Sequence, residues 1–298
     1  MNAPIEPHIL RTLDALSLRT RRAVQGLRQG THRSVRRGHG VEFAEYRQYE
    51  LGDNPRYIDW NLYGRSDKVY IKRYLEEENV SVFVVIDGSN SLVHPELRVK
   101  WDFAKTLASY IGYIALSAQD PVTIASLGYG SSPAFLGGRA FNRIPLFLNS
   151  LESKFLRDAK PLSLSTEARR LASRMNFPGI CILISDFLYP PTEVAEILSA
   201  FRARNMEVHA VQVLSPLDID PSKATGGEAT LTDSETGEEL PLALDARSIS
   251  TYQKRMLAHV SSVRSHCLAH QVQFTSQVAE QPLSETCIKA LREMSLFV

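Results

Sequence analysis

The chain has 298 residues, 44% hydrophobic and 22% charged, with a formal net charge of +1. That composition belongs to an ordinary soluble globular chain of one large or two small domains, and the near-zero balance gives the chain as a whole no bias toward nucleic acid. Cys181, Cys267 and Cys287 are odd in number and widely spaced, which excludes a disulfide framework and a zinc ribbon. No apolar run is long enough to cross a bilayer. The N-terminus lacks the apolar core of a secretory leader, so the expected location is the cytoplasm.

Residues 8–29 are predicted to be helical, with Ile9, Leu10, Leu13, Leu16, Val24 and Leu27 on one stripe and Gly30 as a stop. Arg11, Arg19, Arg21, Arg22, Arg28, Arg33, Arg36 and Arg37 crowd this end, opposed only by Glu6 and Asp14. Such a cluster is a solvated positive face, or a dock for an acidic protein surface or a nucleic-acid backbone. No aromatic or glycine pattern of a nucleic-acid module accompanies it.

Residues 38–79 change character. Gly38, Gly40, Gly52 and Pro55 punctuate short runs rich in Tyr, Phe and Glu. A strand is predicted over Val69–Tyr74 and a short helical turn at Asn54–Pro55. Between Arg47 and Trp60, aromatics and charges alternate closely. One reading is a small subdomain held by internal ion pairs such as Arg56 with Asp59. The other is a partner-contact surface with Arg47, Tyr49, Asp53, Arg56, Asp59 and Trp60 as anchors, because Tyr, Trp and Arg anchor interfaces well. The segment has too few apolar residues for a core of its own. It is therefore expected to pack, with the N-terminal helix, as residues 1–79 on a domain formed by 80–298, and Trp60→Ala is expected to destabilise the whole protein.

Val80–Ile86 is a short β-branched and aromatic run that suits a strand covered on both faces. Asp87, Ser89 and Ser91 follow at alternate positions. Ligands bind beyond the carboxyl ends of strands in open α/β sheets, and three converging oxygens suit a hard cation such as Mg²⁺. The plainer reading is a strand-to-helix turn with a serine cap.

A helix is predicted over 97–118, with Trp101, Ala104, Leu107, Ala108, Ile111, Ile114, Ala115 and Ala118 on one face. Val122–Leu127 reads as a strand and Gly128–Gly138 as a loop. Phe141–Leu151 and Thr166–Met175, capped by Ser165, read as helices. Ile180–Ile184 is a second buried-type strand and ends on Ser185-Asp186, supplying the second acid that a shared site with Asp87 needs. Helix 192–204, strand Val208–Leu214, a hairpin within 226–244, helix 246–269, strand Val272–Ser276 and helix 283–294 complete the chain. Alternating strands and helices from 80 to 214 predict an α/β fold, a doubly wound, mostly parallel sheet with helices on both faces. His259, His266 and His270 lie along one edge of the long helix. His266 and His270 have the spacing of a metal pair, but no Glu follows His266 and no third ligand type is near, so a solvated edge is the reading.

The segments Phe43–Asp53, Arg56–Trp60, Asp87-x-Ser89-x-Ser91, Ser185-Asp186-Phe187 and Asp233–Glu238 together resemble the bacterial family known as domain of unknown function fifty-eight. That family contains a von Willebrand factor A-like domain. The resemblance implies a metal-ion-dependent adhesion site at the sheet's carboxyl edge, holding Mg²⁺ through Asp87, Ser89, Ser91 and Asp186. It also implies pairing with a MoxR-type AAA+ ATPase that remodels or matures client proteins, with no reaction of its own. A-domains usually add a threonine oxygen from a second loop, where this chain reads Leu136-Gly-Gly-Arg139. A guanidinium offers no acceptor. Arg139 would then pair with Asp87 or Asp186 in place of the cation, or Ser131 or Ser132 would supply the oxygen. A metal-poor site is the expectation for the isolated protein.

The enzymatic alternative is a Mg²⁺-dependent phosphohydrolase with Asp87 as aspartyl nucleophile. Such haloacid-dehalogenase-like enzymes need a second acid two residues on, where Ser89 stands and cannot act as general acid–base. The third alternative is nucleic-acid binding through the arginine-rich N-terminus.

Overall fold

The computed structural model describes residues 5–16, 42–66, 68–75, 80–93, 98–157, 163–175, 179–223, 228–232, 239–243 and 246–297. Of the N-terminal arginines only Arg11 lies among them. The helix predicted to continue beyond residue 16 and the hairpin turn at 233–237 lie outside the described residues. The described residues fall into two compact units, one drawn from 1–19 and 80–298 and the other from 20–79.

Helix α1 spans Pro7–Asp14. Proline suits a helix start, where its missing N–H has no intrahelical acceptor. Ile9 and Leu13, one turn apart, are buried in the larger unit.

The smaller unit opens with β1, Glu42–Gln48. A 3₁₀ turn over Pro55–Tyr57 follows, where the Asn54 side chain accepts from the Arg56 N–H at 3.1 Å. Helix α2 spans Trp60–Ser66. Asp59 caps it, its Oδ1 accepting from the N–H groups of Asn61 and Leu62 at 3.0 and 3.1 Å. Strand β2, Tyr70–Leu75, pairs antiparallel with β1 from Glu42↔Leu75 to Gln48↔Tyr70, with an irregularity between Phe43 and Glu45.

In the larger unit β3 spans Ser81–Ile86, followed by the short helix α3, Asn90–Val93, and the long helix α4, Arg98–Ser117. Then come β4 (Val122–Ser126), β5 (Gly130–Ser131), α5 (Arg143–Arg157) and α6 (Leu164–Ala172). Helix α6 begins earlier than the sequence suggested. Ser165 therefore lies inside its first turn, and Ser163 precedes the helix, its hydroxyl 2.9 Å from that of Thr166. Next are β6 (Gly179–Ser185), α7 (Pro191–Arg202), β7 (Glu207–Leu214) and α8 (Pro216–Ile219). An antiparallel pair, β8 (Glu228–Thr232) and β9 (Glu239–Ala243), leads to α9 (Ala246–Ala269), β10 (Gln273–Val278) and α10 (Leu283–Glu293).

The main sheet has the order β10-β7-β6-β3-β4-β5, parallel except for β5. The expected doubly wound fold is present. In the central strands β3 and β6 nearly every residue is buried, which explains why they read as continuous apolar runs. Val82, Val84 and Ile86 pack on one face with α1, α4, α5 and α10. Phe83 and Val85 pack on the other with α6, α7 and α9. Full burial of each such side chain stabilises the fold by about 1.5–3 kcal/mol, so these two strands fix the sheet's centre. Among the described residues no helix is long and apolar enough to cross a membrane.

Candidate functional site

The chain leaves β3 toward β4 on one side and later returns to lay β6 on the other. The carboxyl ends of β3 and β6 therefore flank a topological switch point, where α/β sheets open a crevice. Asp87 follows β3 and Asp186 follows β6. The ladder continues one bond past the strands, with the Asp87 N–H donating to the Ile184 carbonyl at 2.9 Å. That bond fixes Asp87 beside Ser185.

Both oxygens of Asp87 are engaged. Oδ1 accepts from the Ser89 N–H at 2.8 Å and Oδ2 from the Ser185 hydroxyl at 2.6 Å. The Ser185 Oγ in turn accepts from the Phe187 N–H at 2.8 Å. Asp87 is fully buried. Burial, and then the nearby charge of Asp186, push its carboxyl up to about 7, against the opposing pull of its hydrogen bonds from Ser185 and Ser89. The buried hydroxyls of Ser89 and Ser91 lie 3.1 Å apart. Gly88 passes so close to β4 that a Cβ there would lie 2.2 Å from the Leu127 carbonyl oxygen, so only glycine fits.

Asp186 meets a different partner. The Lys100 Nζ lies 2.7 Å from Asp186 Oδ2, with neither side chain exposed, and 3.3 Å from Asp218 Oδ2. Asp186 Oδ1 accepts from the Leu188 N–H at 3.2 Å. Asp218 also closes a capping box at the start of α8, its Oδ2 accepting from the Ser215 N–H at 2.7 Å while its own N–H donates to Ser215 Oγ at 3.1 Å. Lys100 thus ties α4 to the ends of β6 and β7. Sequence reading missed it, although a signal was present. Lys100, Ala104, Leu107 and Ile111 share one helical stripe, so the lysine sits in phase with buried positions.

The loop after Asp186 is held in an uncommon conformation. Phe187 has φ +54°, a left-handed backbone that costs a bulky residue about 1–3 kcal/mol. Its side chain is buried, its N–H is held by Ser185, and its carbonyl accepts from His259 Nε2 at 2.7 Å. The Asp186 carbonyl accepts from Gln212 Nε2 at 3.0 Å, and Gln212 Oε1 accepts from Ser276 at 3.0 Å. His259 was expected on a solvated edge; it is half-buried and braces this loop instead. His270 bonds weakly with Ser199, its Nδ1 lying 3.4 Å from the hydroxyl.

Arg139 is exposed on a 3₁₀ turn, Gly138–Asn142. The cation that meets the second acid is Lys100, contrary to the expectation for Arg139, because the first turn of α4 carries Lys100 to 2.7 Å from Asp186. Ser132, just after β5, does not stand free as an oxygen donor either, since its hydroxyl accepts from the Ile124 N–H of β4 at 3.1 Å.

A hard cation needs several oxygens facing one point. Ser89 and Ser91 bring two hydroxyls together, but both Asp87 oxygens already accept hydrogen bonds and Asp186 faces an ammonium at salt-bridge distance. The four residues as a set do not fit a divalent ion while Lys100 stays in place. Among the described residues no group of three or more His, Cys, Asp or Glu is arranged to hold a metal.

In the smaller unit the ion pairs centre on Arg47. Its Nη2 reaches both Asp53 oxygens at 2.6 and 2.7 Å, and its Nη1 lies 3.0 Å from Glu50. The pair suggested between Arg56 and Asp59 is not the strut; Asp59 is buried, caps α2 and accepts from the Tyr46 hydroxyl at 2.9 Å. Tyr49 is half-buried and Arg56 exposed. Trp60 is 63% exposed, edge-on to Tyr63. Arg47, Asp53 and Asp59 thus organise the unit, while Arg56 and Trp60 remain on its surface.

Over 272 residues the chain is 26% identical to Uncharacterized protein Mb1516 of Mycobacterium bovis, covering 87% of this chain and 81% of that protein. The same values hold for Uncharacterized protein Rv1480 of Mycobacterium tuberculosis. Among solved structures it is similar to conserved hypothetical protein BatB from Bacteroides thetaiotaomicron, at TM-score 0.42 and 14% identity over 73% of this chain and 99% of that one. An aerotolerance-related membrane protein from Bacteroides fragilis gives TM-score 0.44 and 12% identity over 72% and 98%. The profile of the family described as Protein of unknown function DUF58 matches residues 45–262, well over half of the chain, and the protein belongs to that family.

Proposed function

We propose that the protein is a non-enzymatic, cytoplasmic interaction module that works with a MoxR-type AAA+ ATPase in remodelling or maturing client proteins. Docking takes place at the carboxyl edge of the main sheet. One observation carries this reading: adjacent parallel strands deliver Asp87 and Asp186 to the switch point, where each is held by its own partners, Asp87 by Ser89 and Ser185 and Asp186 by Lys100 and Leu188. A nucleophile must present a free oxygen to its substrate, whereas both oxygens of Asp87 are engaged and buried. Ser89 stands where an aspartyl-phosphate enzyme would carry its general acid. The three thiols are poor nucleophiles as well, since burial pushes each of them up. A rigid edge rimmed by the Ser89–Val93 and Leu188–Pro190 segments suits recognition of a partner. The ATPase context comes from the family resemblance. Exposed Trp60 and Arg56 of the smaller unit supply anchors of the type that interfaces favour.

The test is reconstitution with the MoxR-type ATPase of the same bacterium. A complex by analytical ultracentrifugation, weakened at least roughly tenfold (about 1.4 kcal/mol) by Asp87→Ala in a protein that remains folded, is the expected result. Failure of any complex to form overturns the partner assignment. Hydrolysis of a generic phosphate ester that Asp87→Ala abolishes overturns the non-enzymatic reading.

A further inference from the structure

Three facts about Lys100 bear on what the carboxyl-edge site holds. Its side chain has no solvent exposure, and neither has that of Asp186, 2.7 Å away. Its position is set by helix packing, because α4 carries it in phase with Ala104, Leu107 and Ile111, all buried. Its partners are themselves fixed: Asp186 Oδ1 by the Leu188 N–H and Asp218 Oδ2 by the Ser215 N–H. The ammonium is therefore a built component of the site and not a surface side chain that happens to reach it.

A divalent ion held by Asp87, Ser89, Ser91 and Asp186 would share Asp186 with this ammonium. Like charges on one carboxylate repel strongly where solvent screening is weak. Expelling Lys100 from Asp186 would leave a buried ammonium short of a partner, which is worse than keeping the pair. A carboxylate at a strand edge is relieved by an opposite charge close by, and at Asp186 the lysine already supplies it.

We infer that Lys100 is the permanent cation of this site, standing where A-like domains use a metal ion, so that the docking edge keeps its architecture without Mg²⁺. The assignment deepens the proposed docking role, on which it rests for its functional meaning. It makes partner capture independent of divalent ions.

The experiment is a metal titration of the wild-type full chain, read by calorimetry with Mn²⁺ or Mg²⁺ and by thermal unfolding with and without EDTA. No saturable heat and no change in unfolding temperature are expected. A change of equal size in Asp87→Ala is a general ion effect and leaves the assignment intact. Saturable binding that Asp87→Ala abolishes overturns it. Lys100→Met and Lys100→Arg extend the test. Lys100→Met is expected to lower the unfolding temperature and Lys100→Arg to restore most of the loss. A Lys100→Met protein as stable as the wild type without metal also overturns the assignment. Should Lys100→Met not fold, the wild-type titration alone decides. No partner is present in these measurements. A failed complex with the ATPase therefore leaves the lysine assignment standing, and saturable metal binding leaves the docking reading standing.

Discussion

Lys100 and Asp186 meet at 2.7 Å with no solvent exposure on either side chain. Breaking a buried ion pair by removing one partner costs about 3–5 kcal/mol, because the other charge is stranded, whereas replacing both by apolar groups costs far less. Lys100→Met and Asp186→Leu are each expected to destabilise the protein by about that amount. The double variant should recover a large part of the sum, although Asp218, 3.3 Å from the ammonium, remains. Urea unfolding of the four proteins in a double-mutant cycle checks this, and strict additivity would contradict the pairing.

Asp87 makes stability depend on pH in an unusual direction for an acid. Its folded-state value of about 7 lies above the ordinary 3.8, so between those values the native state holds a proton that the unfolded state has released. The contribution is fully present below about 3.8 and is lost as pH rises through about 7. The size is a few kcal/mol, at about 1.4 kcal/mol for each tenfold in acidity. Asp87→Asn, which keeps the shape without the charge, should gain stability relative to the wild type between pH 5 and pH 8 (roughly the window of the shift). Parallel unfolding curves for the two proteins across that range would refute the assignment.

Gly88→Ala tests the close passage of the Asp87 loop against β4. The added Cβ would lie 2.2 Å from a backbone oxygen and 2.8 Å from the Tyr129 ring. Backbone cannot rotate away as a side-chain tip can, and overpacking of this kind costs about 1–3 kcal/mol. A lowered urea midpoint at unchanged slope is the expected outcome.

His259→Leu removes the donor to the Phe187 carbonyl. The lost hydrogen bond is worth about 1 kcal/mol, and the left-handed Phe187 loses one of its braces. Hydrogen exchange should accelerate over residues 186–189 while β3 and β6 stay protected; uniform exchange across the protein would argue against a local brace.

Trp60→Ala separates two roles for the smaller unit. The sequence reading expected this change to destabilise the whole protein. With Trp60 63% exposed and touching Tyr63 edge-on, the expected loss falls to within about 0.5–1 kcal/mol. Binding of the ATPase should weaken more than stability does. Retained affinity together with a large drop in unfolding temperature would reverse that assignment.

Period and composition made much of this protein legible before any tertiary information. The short β-branched apolar runs of β3 and β6 suited strands buried on both faces, and their alternation with amphipathic helices argued for a parallel sheet. Asp87 and Asp186 then followed as residues at strand ends. The cation that pairs with Asp186 was not legible, because sequence order says nothing of which side chain crosses from a helix to a neighbouring strand. The nearest candidate in the motif, Arg139, lies exposed on a 3₁₀ turn, while Lys100, distant from Asp186 along the chain, reaches it across the fold. His259 looked solvent-facing for the same reason: helical phase locates a residue on its helix but not the loop that will lie over it. Local physics set the elements and their covered faces. Only the packing of α4 and α9 onto the switch point determined which buried charges are paired and which loop is held.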